Sequence, residues 1–409
     1  MYERYQELYR LYADFDVGTL REYRDFVDLF PPLDSPIALD RWQDVKEEME
    51  EREAEIRDAF EAGDAFADIA GVATRDQAFT ALDLYTKYER MVTALVVDVD
   101  ETLRSAGGTD NEIPRETLHQ LTELHESGMP IVVCTGQTLE NVKGFAIQGL
   151  GDELVYSGDL SIVYEGGSGV FTPGQGARTK QLLYEDLPDE VIDRFQTVRS
   201  QVVREMPSAL RSRTHLQGNE FNVTIKPNDE TGSDRALTTI RTALPHLLDQ
   251  LGSTLTGAAG YDEVAAYYAD ADPEIEAALD AVDALPDEGS VPATVRESLA
   301  DVDVAYYRAD AVELTSRKLN KVVGVKAAFD VLGVEDPFAM VLGDSKSDLR
   351  VMRWLDEEGI GIGAAPEHAS EQVVEFVADQ DDLVFDRGAA DQMLRTLRAM
   401  ARIADVVDP

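Results

Sequence analysis

Hydrophobic positions along this chain fall into three textures, and each predicts a different kind of structure. Over residues 1–90 apolar side chains recur every three or four positions among charged ones, the period of one-sided helices. Helices are expected over residues 2–13, 20–29, 40–62 and 74–90, with Pro31, Pro32 and Pro36 breaking the pattern between the second and third. Phe79, Leu82, Leu84 and Tyr88 mark the buried stripe of the last helix.

At Met91 the texture changes to unbroken apolar runs, as expected for strands buried on both faces of a parallel sheet. Runs at 93–102, 130–136 and 153–157 alternate with helical stretches at 114–127 and 139–150, which predicts a doubly wound sheet with right-handed crossovers. Residues 158–183 read as Gly-rich strands and turns. Gly166 to Gly169 is a hairpin turn and not a phosphate loop, because no helix follows it.

Between 184 and 312 the period shifts again. Helices over 189–205 and 233–251 flank alternating strands at 211–216 and 220–226; an acidic stretch at 270–288 precedes a strand pair at 303–309 and 311–316. The α/β texture then resumes with a helix over 320–332, a strand at 338–344, a helix over 346–355, a strand at 359–363 and a helix over 389–404. The expected fold class is α/β: a doubly wound, Rossmann-like parallel sheet (91–183 and 313–409) interrupted by an inserted α+β cap (184–312), after a helical extension (1–90).

Charge narrows the partners. The chain has 80 Asp and Glu against 37 Lys and Arg, a formal net charge of −43. Binding to nucleic acid phosphates or an anionic membrane surface calls for the opposite sign, so neither partner is expected. The cations are 9 Lys and 28 Arg, and the acid excess is spread along the whole chain. In molar salt the Debye length falls to about 3 Å and such self-repulsion is screened, so the composition reads as adaptation to a salty cytoplasm. Cys134, the one cysteine, cannot form an internal disulfide and sits inside an apolar run, as a core residue would. No run reaches the roughly 18 apolar residues of a membrane span, and a soluble cytoplasmic chain is expected. The five histidines show no metal-ligand spacing, and His119 and His125 are expected as solvated side chains on a surface helix.

The candidate chemistry lies where the apolar runs end, because ligands of an open parallel sheet sit outside the carboxyl ends of its strands. The first run ends in Asp98-Val99-Asp100-Glu101-Thr102, the second in Thr135-Gly136, and the later one in Gly343-Asp344-Ser345 with Asp348 a helical turn on. Lys321 opens the helix before that last strand. Each piece alone has an ordinary explanation in so acidic a chain, as a chance pair, a turn or a helix-start acid. Together they converge carboxylates, hydroxyls and a lysine on one sheet edge, which suits phosphoryl transfer. A carboxylate attacking an anionic phosphate needs a divalent cation and a fixed positive charge. Asp98 and Asp344 offer hard oxygen ligands for Mg²⁺, with Asp348 orienting them. Lys321 neutralises the remaining charge, and Thr135 hydrogen-bonds a phosphoryl oxygen. Asp98 and Asp100 are placed as nucleophile and acid/base.

That order of motifs resembles the haloacid dehalogenase-like superfamily over roughly residues 91–400, in its branch with a C2-type cap between the second and third motifs. That branch holds the Cof-type sugar-phosphate phosphatases, the sucrose-, trehalose- and mannosylglycerate-phosphate phosphatases, and the eukaryotic-type phosphomannomutases. Residues 153–167 and 359–378 also look like that branch's strand after the second motif and its C-terminal strand and helix. The resemblance implies an aspartyl phosphate on Asp98, with Asp100 as acid/base and its main-chain carbonyl as a Mg²⁺ ligand beside Asp98, Asp344 and Asp348. It implies phosphate binding by Thr102, Thr135, Gly136 and Lys321. Gln137 stands where Cof-type proteins carry Arg, and Ser157 where they carry Asn. Arg213, Asn219, Asn222 and Lys226, in or beside a cap strand pair, are candidates to select a small phosphorylated metabolite such as a sugar phosphate. The readings are a phosphomonoester hydrolase, a phosphohexomutase using the same aspartyl phosphate, or a binding protein on that fold. The intact set of Asp98, Asp100, Thr135, Lys321, Asp344 and Asp348 speaks against the last, because those charges crowd one site and are costly to keep without Mg²⁺ and phosphate.

Overall fold

The computed structural model describes residues 2–30, 35–104, 112–218, 221–230, 232–255, 260–287 and 291–407. Its main sheet holds β1 (Ala94–Val97), β2 (Ile131–Cys134), β3 (Leu160–Tyr164), β4 (Gly169–Phe171) and β5 (Gln181–Leu182). A second sheet follows in sequence, of β6 (Thr214–Gln217), β7 (Val223–Pro227), β8 (Val302–Tyr307) and β9 (Ala311–Ser316). The chain then returns to the main sheet with β10 (Ala339–Leu342), β11 (Gly361–Pro366) and β12 (Leu383–Phe385).

The main sheet has eight strands in the order β12-β11-β10-β1-β2-β3-β4-β5. From β12 to β3 every pairing is parallel, while β4 and β5 turn back antiparallel at one edge. Unbroken apolar strands follow from burial on both faces. Leu95 and Val97 of β1 join Ile131, Val133, Met340 and Leu342 in one layer, whereas Ala94 and Val96 join Val132, Ala339 and Val341 in the other. Helices Lys321–Leu332, Lys346–Glu358 and Glu371–Asp379 contribute to that second layer. The first layer is shared by Arg115–Glu126, the final helix Ala390–Val407 and the N-terminal helices, whose Leu8, Leu20, Ile56, Phe66 and Leu82 belong to the same apolar cluster. The N-terminal segment therefore completes one side of the sheet.

The second sheet is antiparallel, in the order β6-β7-β9-β8. Val223, Ile225, Val302, Val304, Tyr306, Val312 and Leu314 pack against helices that include Asp189–Val202 and Asp234–Gly252. The two-residue alternation puts Thr224, Asp303, Tyr307 and Glu313 on its opposite face.

Several expectations need correcting. Residues 153–157 are not a strand: the helical segment Leu139–Val155 kinks at Gly151, with φ +81°, and resumes as far as Val155, and the third strand is Leu160–Tyr164. Pro36 opens helix Pro36–Ala59 instead of breaking it, as Pro tolerates the first turn. Helix Gly63–Val72 was not expected, and the acidic stretch at 270–288 is helical as far as Asp280 within Pro273–Asp280. Strand Ala311–Ser316 of the second sheet runs past residue 312. Gly166 lies in the β3–β4 turn, as expected. Among the described residues no helix is long and apolar enough to cross a membrane.

Candidate active site

From β1 the chain winds one way through β2 and β3, and from β10 the other way through β11 and β12. Neighbouring β1 and β10 thus flank the topological switch point, where a crevice opens at the carboxyl ends. Asp98 immediately follows β1, and its N–H donates to Leu342 O at 2.9 Å. Asp344 stands two residues beyond β10.

Lys321 ties this crevice together. Its Nζ donates to Asp98 Oδ1 and to Asp348 Oδ1, each at 2.7 Å, and all three residues are at least 94% buried, at 3%, 6% and 2% exposure. The lysine is aimed by the first turn of its helix, which Asn320 caps by accepting from the Val323 N–H at 3.1 Å. Asp348 is fixed by a reciprocal cap: its Oδ2 accepts from the Ser345 N–H at 3.1 Å and from Ser345 Oγ at 2.7 Å. Two glycines permit the approach. At Gly167, with φ +100°, a Cβ would lie 2.0 Å from Asn320 O; at Gly343 it would lie 2.3 Å from Asp348 Cβ.

The charges do not balance. Asp98, Asp344 and Asp348 each offer a carboxylate oxygen within 4.8 Å of one another, and one lysine answers them. Burial raises the Asp344 carboxyl well above its ordinary range, and Asp98 and Asp348 push it further. Asp98 is raised too, by burial first and by Asp348 and Asp100, against the pull of Lys321. Burial opposes the Lys321 charge, yet Asp348 and Asp98 hold it well above the usual lysine value. Three hard oxygen donors, with no thiolate or imidazole among them, fit Mg²⁺ better than a softer metal, and a divalent cation would favour their ionised forms.

Around this centre, Thr102 is buried and its Oγ1 donates to Asp344 Oδ1 at 3.4 Å. Thr135 is buried at the end of β2, where its Oγ1 accepts from the Gln137 N–H at 3.1 Å and keeps its own proton to donate. Gly136 is exposed, with open space where a Cβ would stand. Asp100 is half-exposed at the mouth. Arg104 Nε and Nη2 donate to its Oδ1 at 2.9 and 2.7 Å, and Gln137 Nε2 donates to its Oδ2 at 2.6 Å.

The polar face of the second sheet brings in a further set. Asn222 Nδ2 and Thr224 Oγ1 donate to Glu313 Oε1 at 2.5 and 2.9 Å, and Tyr307 OH donates to Glu313 Oε2 at 3.4 Å. Tyr307 is near enough to the crevice for Lys321 and Asp348 to act on its hydroxyl, whose pKa burial and Glu313 raise. Lys226 Nζ donates to Asp310 at 3.3 Å. Arg213 is exposed before β6, and Asn219 lies outside the described residues. Arg104, Tyr307 and Glu313 escaped the sequence reading: Arg104 is four residues from Asp100 and was one charge among many, and Glu313 meets Asn222 and Thr224 only once β7 and β9 pair. Cys134 is a buried core residue whose thiol pKa burial raises. His119 is not solvated; its Nε2 lies 3.4 Å from Asp28 Oδ2 with 17% of the side chain exposed.

No family model and no curated protein sequence matches this chain. Solved structures similar to it include a trehalose-6-phosphate phosphatase from Aspergillus fumigatus, at 14% identity and TM-score 0.44, covering 80% of this chain and 99% of that one. Another is the sucrose-phosphatase from Synechocystis in complex with sucrose and phosphate, at 13% identity and TM-score 0.44, covering 76% and 99%. A third is a haloacid dehalogenase-like hydrolase from Bacteroides thetaiotaomicron, at 15% identity and TM-score 0.43, covering 76% and 99%.

Proposed function

We propose that this chain is a Mg²⁺-dependent phosphomonoester hydrolase acting on a small phosphorylated metabolite, a sugar phosphate, through an aspartyl phosphate on Asp98. The observation that carries the reading is Lys321 bridging buried Asp98 and Asp348 beside Asp344 at the switch point of the sheet. Asp98, Asp344 and the Asp100 carbonyl would hold Mg²⁺, with Asp348 orienting the set. Bound there, the ion supplies the positive charge that lets a carboxylate approach a phosphate dianion.

Lys321 occupies Asp98 Oδ1, which leaves Oδ2 as the attacking oxygen. It attacks phosphorus, the bond to the sugar oxygen breaks, and that oxygen takes the Asp100 proton. Asp100, now a carboxylate, takes a proton from water as the water oxygen attacks the acyl phosphate. Asp98 is regenerated and inorganic phosphate leaves. Thr102, Thr135, the Gly136 backbone and Lys321 would hold the phosphoryl oxygens. Asn222 and Lys226, with Glu313, would meet the sugar hydroxyls.

The test is phosphate release from a panel of sugar phosphates with Mg²⁺, in dilute buffer and in molar KCl, with free phosphate and isomerised sugar phosphate both measured. Mg²⁺-dependent release from at least one member, lost in Asp98→Asn, is expected. No release from any member in either salt would sink the reading, and isomerisation without release would make the enzyme a mutase.

A further inference from the structure

Between Asp98 and Thr102 the backbone makes a turn that L-residues avoid. Glu101 has φ +60°, the left-handed region in which glycine is comfortable and a side chain is strained. Such a conformation persists only where the surroundings hold it. Here two side chains from the far half of the sheet converge on it: His368 Nε2 lies 3.3 Å and Arg387 Nη2 3.5 Å from Glu101 Oε2. His368 stands two residues past the end of β11 and Arg387 two past the end of β12. The same loops are anchored to the site, since the Ser370 N–H donates to Asp344 O at 2.9 Å and the Glu367 N–H to Phe385 O at 2.7 Å.

We propose that Glu101 is a positioning residue that ties the nucleophile loop to the loops after β11 and β12 through His368 and Arg387. This inference rests on the proposed phosphatase reading for its catalytic consequence only. The turn it holds decides where its neighbours point. On one side Asp100 faces outward to Arg104 and Gln137; on the other Thr102 faces inward to Asp344. The Leu103 and Arg104 N–H groups close the turn by donating to Val99 O, each at 3.1 Å. Releasing Glu101 lets this turn relax and carries Asp100 and Thr102 away from the positions the two steps require. Asp98 itself stays anchored through Leu342 and Lys321.

Two readouts on Glu101→Gln, Arg387→Met and Arg387→Lys decide it. The first needs no activity: amide exchange at Leu103 and Arg104 should quicken about tenfold in Glu101→Gln and Arg387→Met, and stay near wild type in Arg387→Lys. The second is the split between kcat and KM. kcat should fall about tenfold in the first two variants with KM within twofold, and Arg387→Lys should restore it. Unchanged exchange at both amides overturns the proposal, as does unchanged kcat in an active enzyme. If the wild type releases no phosphate from any substrate, the phosphatase reading fails and the exchange measurement alone decides the positioning role.

Discussion

Among the described residues, buried charge is treated oppositely in two places, the joint of the N-terminal helices and the crevice. Where the N-terminal helices meet the final helix, carboxylates and guanidinium groups alternate. Arg24 Nη1 lies 3.1 Å from Glu53 and 3.5 Å from Asp68, and Arg57 reaches the other Glu53 oxygen at 2.7 Å. Arg402 meets Asp68 at 3.0 Å, and Arg395 meets Asp25 at 2.8 Å and the Val72 carbonyl at 3.2 Å. Burial works against the Arg24 charge, but Glu53, Asp68 and Asp28 outweigh it and raise its pKa. In the crevice one lysine faces three carboxylates, and Asp344 has a long 3.4 Å bond from Thr102. The first cluster neutralises itself and acts as a joint. The second sets three carboxyl groups against one lysine, an imbalance that supports the proposed cation and substrate site.

The same chemical change, acid to amide, should therefore do opposite things in the two clusters. Asp98→Asn is expected to cut phosphate release by at least about 10⁴-fold, the scale of losing a nucleophile. Its folding free energy should move by no more than about 1 kcal/mol, because Lys321 keeps Asp348 and the amide keeps the shape. Steady-state assays beside urea unfolding check both halves; residual turnover within tenfold of wild type would remove Asp98 from the mechanism.

Glu53→Gln is the mirror experiment. Glu53 is 6% exposed and accepts from both Arg24 and Arg57. Breaking a buried pair costs about 3–5 kcal/mol, and the partial exposure of the arginines lowers the expectation to about 2–3 kcal/mol. Activity per folded molecule should not change. A stable variant with lost turnover would mean that the N-terminal joint is part of the site.

How well the two clusters can be read from sequence also differs. Asp98, Thr135, Asp344 and Asp348 each follow a run of buried apolar residues, so the pattern that predicts strands also locates them. Lys321 follows from its helix start. Glu101 with His368 and Arg387 carries no such mark, because that contact is made by loops distant in sequence, and Glu313 meets Asn222 only through the pairing of β7 with β9. Neither Glu53 nor Arg395 stands out among so many charges, since burial of a helix face depends on what covers it. The fold shows the same division. β1, β2 and β10 were legible as continuous runs, whereas residues 153–157 imitate a strand because Val155 is apolar enough to be buried in a helix. Helix Gly63–Val72 was hidden by its small residues, and Leu383–Phe385, a strand of three residues, is too short to show a period.

Metal titration sharpens the contrast at the next scale. A ligand that binds the folded state alone stabilises it by RT ln(1 + [L]/Kd), about 1.4 kcal/mol at ten times Kd. Mg²⁺ should produce that increment in the wild type and in Glu53→Gln, and not in Asp344→Asn, when total ionic strength is held constant with KCl. Equal increments in all three proteins would assign the effect to general screening of the −43 charge and remove the cation from the crevice.

The smallest effect expected is the absence of one. Raising KCl from about 0.1 to 2 M shortens the Debye length from about 10 Å toward 3 Å or less, so long-range repulsion among surface acids fades and the wild type should gain stability. Screening acts on charges that solvent ions can come between. Glu53 and Arg24 are 3.1 Å apart, and 7% and 22% of their side chains are exposed, so mobile ions cannot separate them. The penalty of Glu53→Gln should therefore hold within about 0.5 kcal/mol across that salt range while the absolute stabilities of both proteins climb together. Urea unfolding of the two proteins at each salt gives the difference directly. A penalty that shrinks in step with the rising baseline would mean that the joint is another face of the screened acidic surface, and the two clusters would then differ in accessibility to salt and not in how their charges are matched.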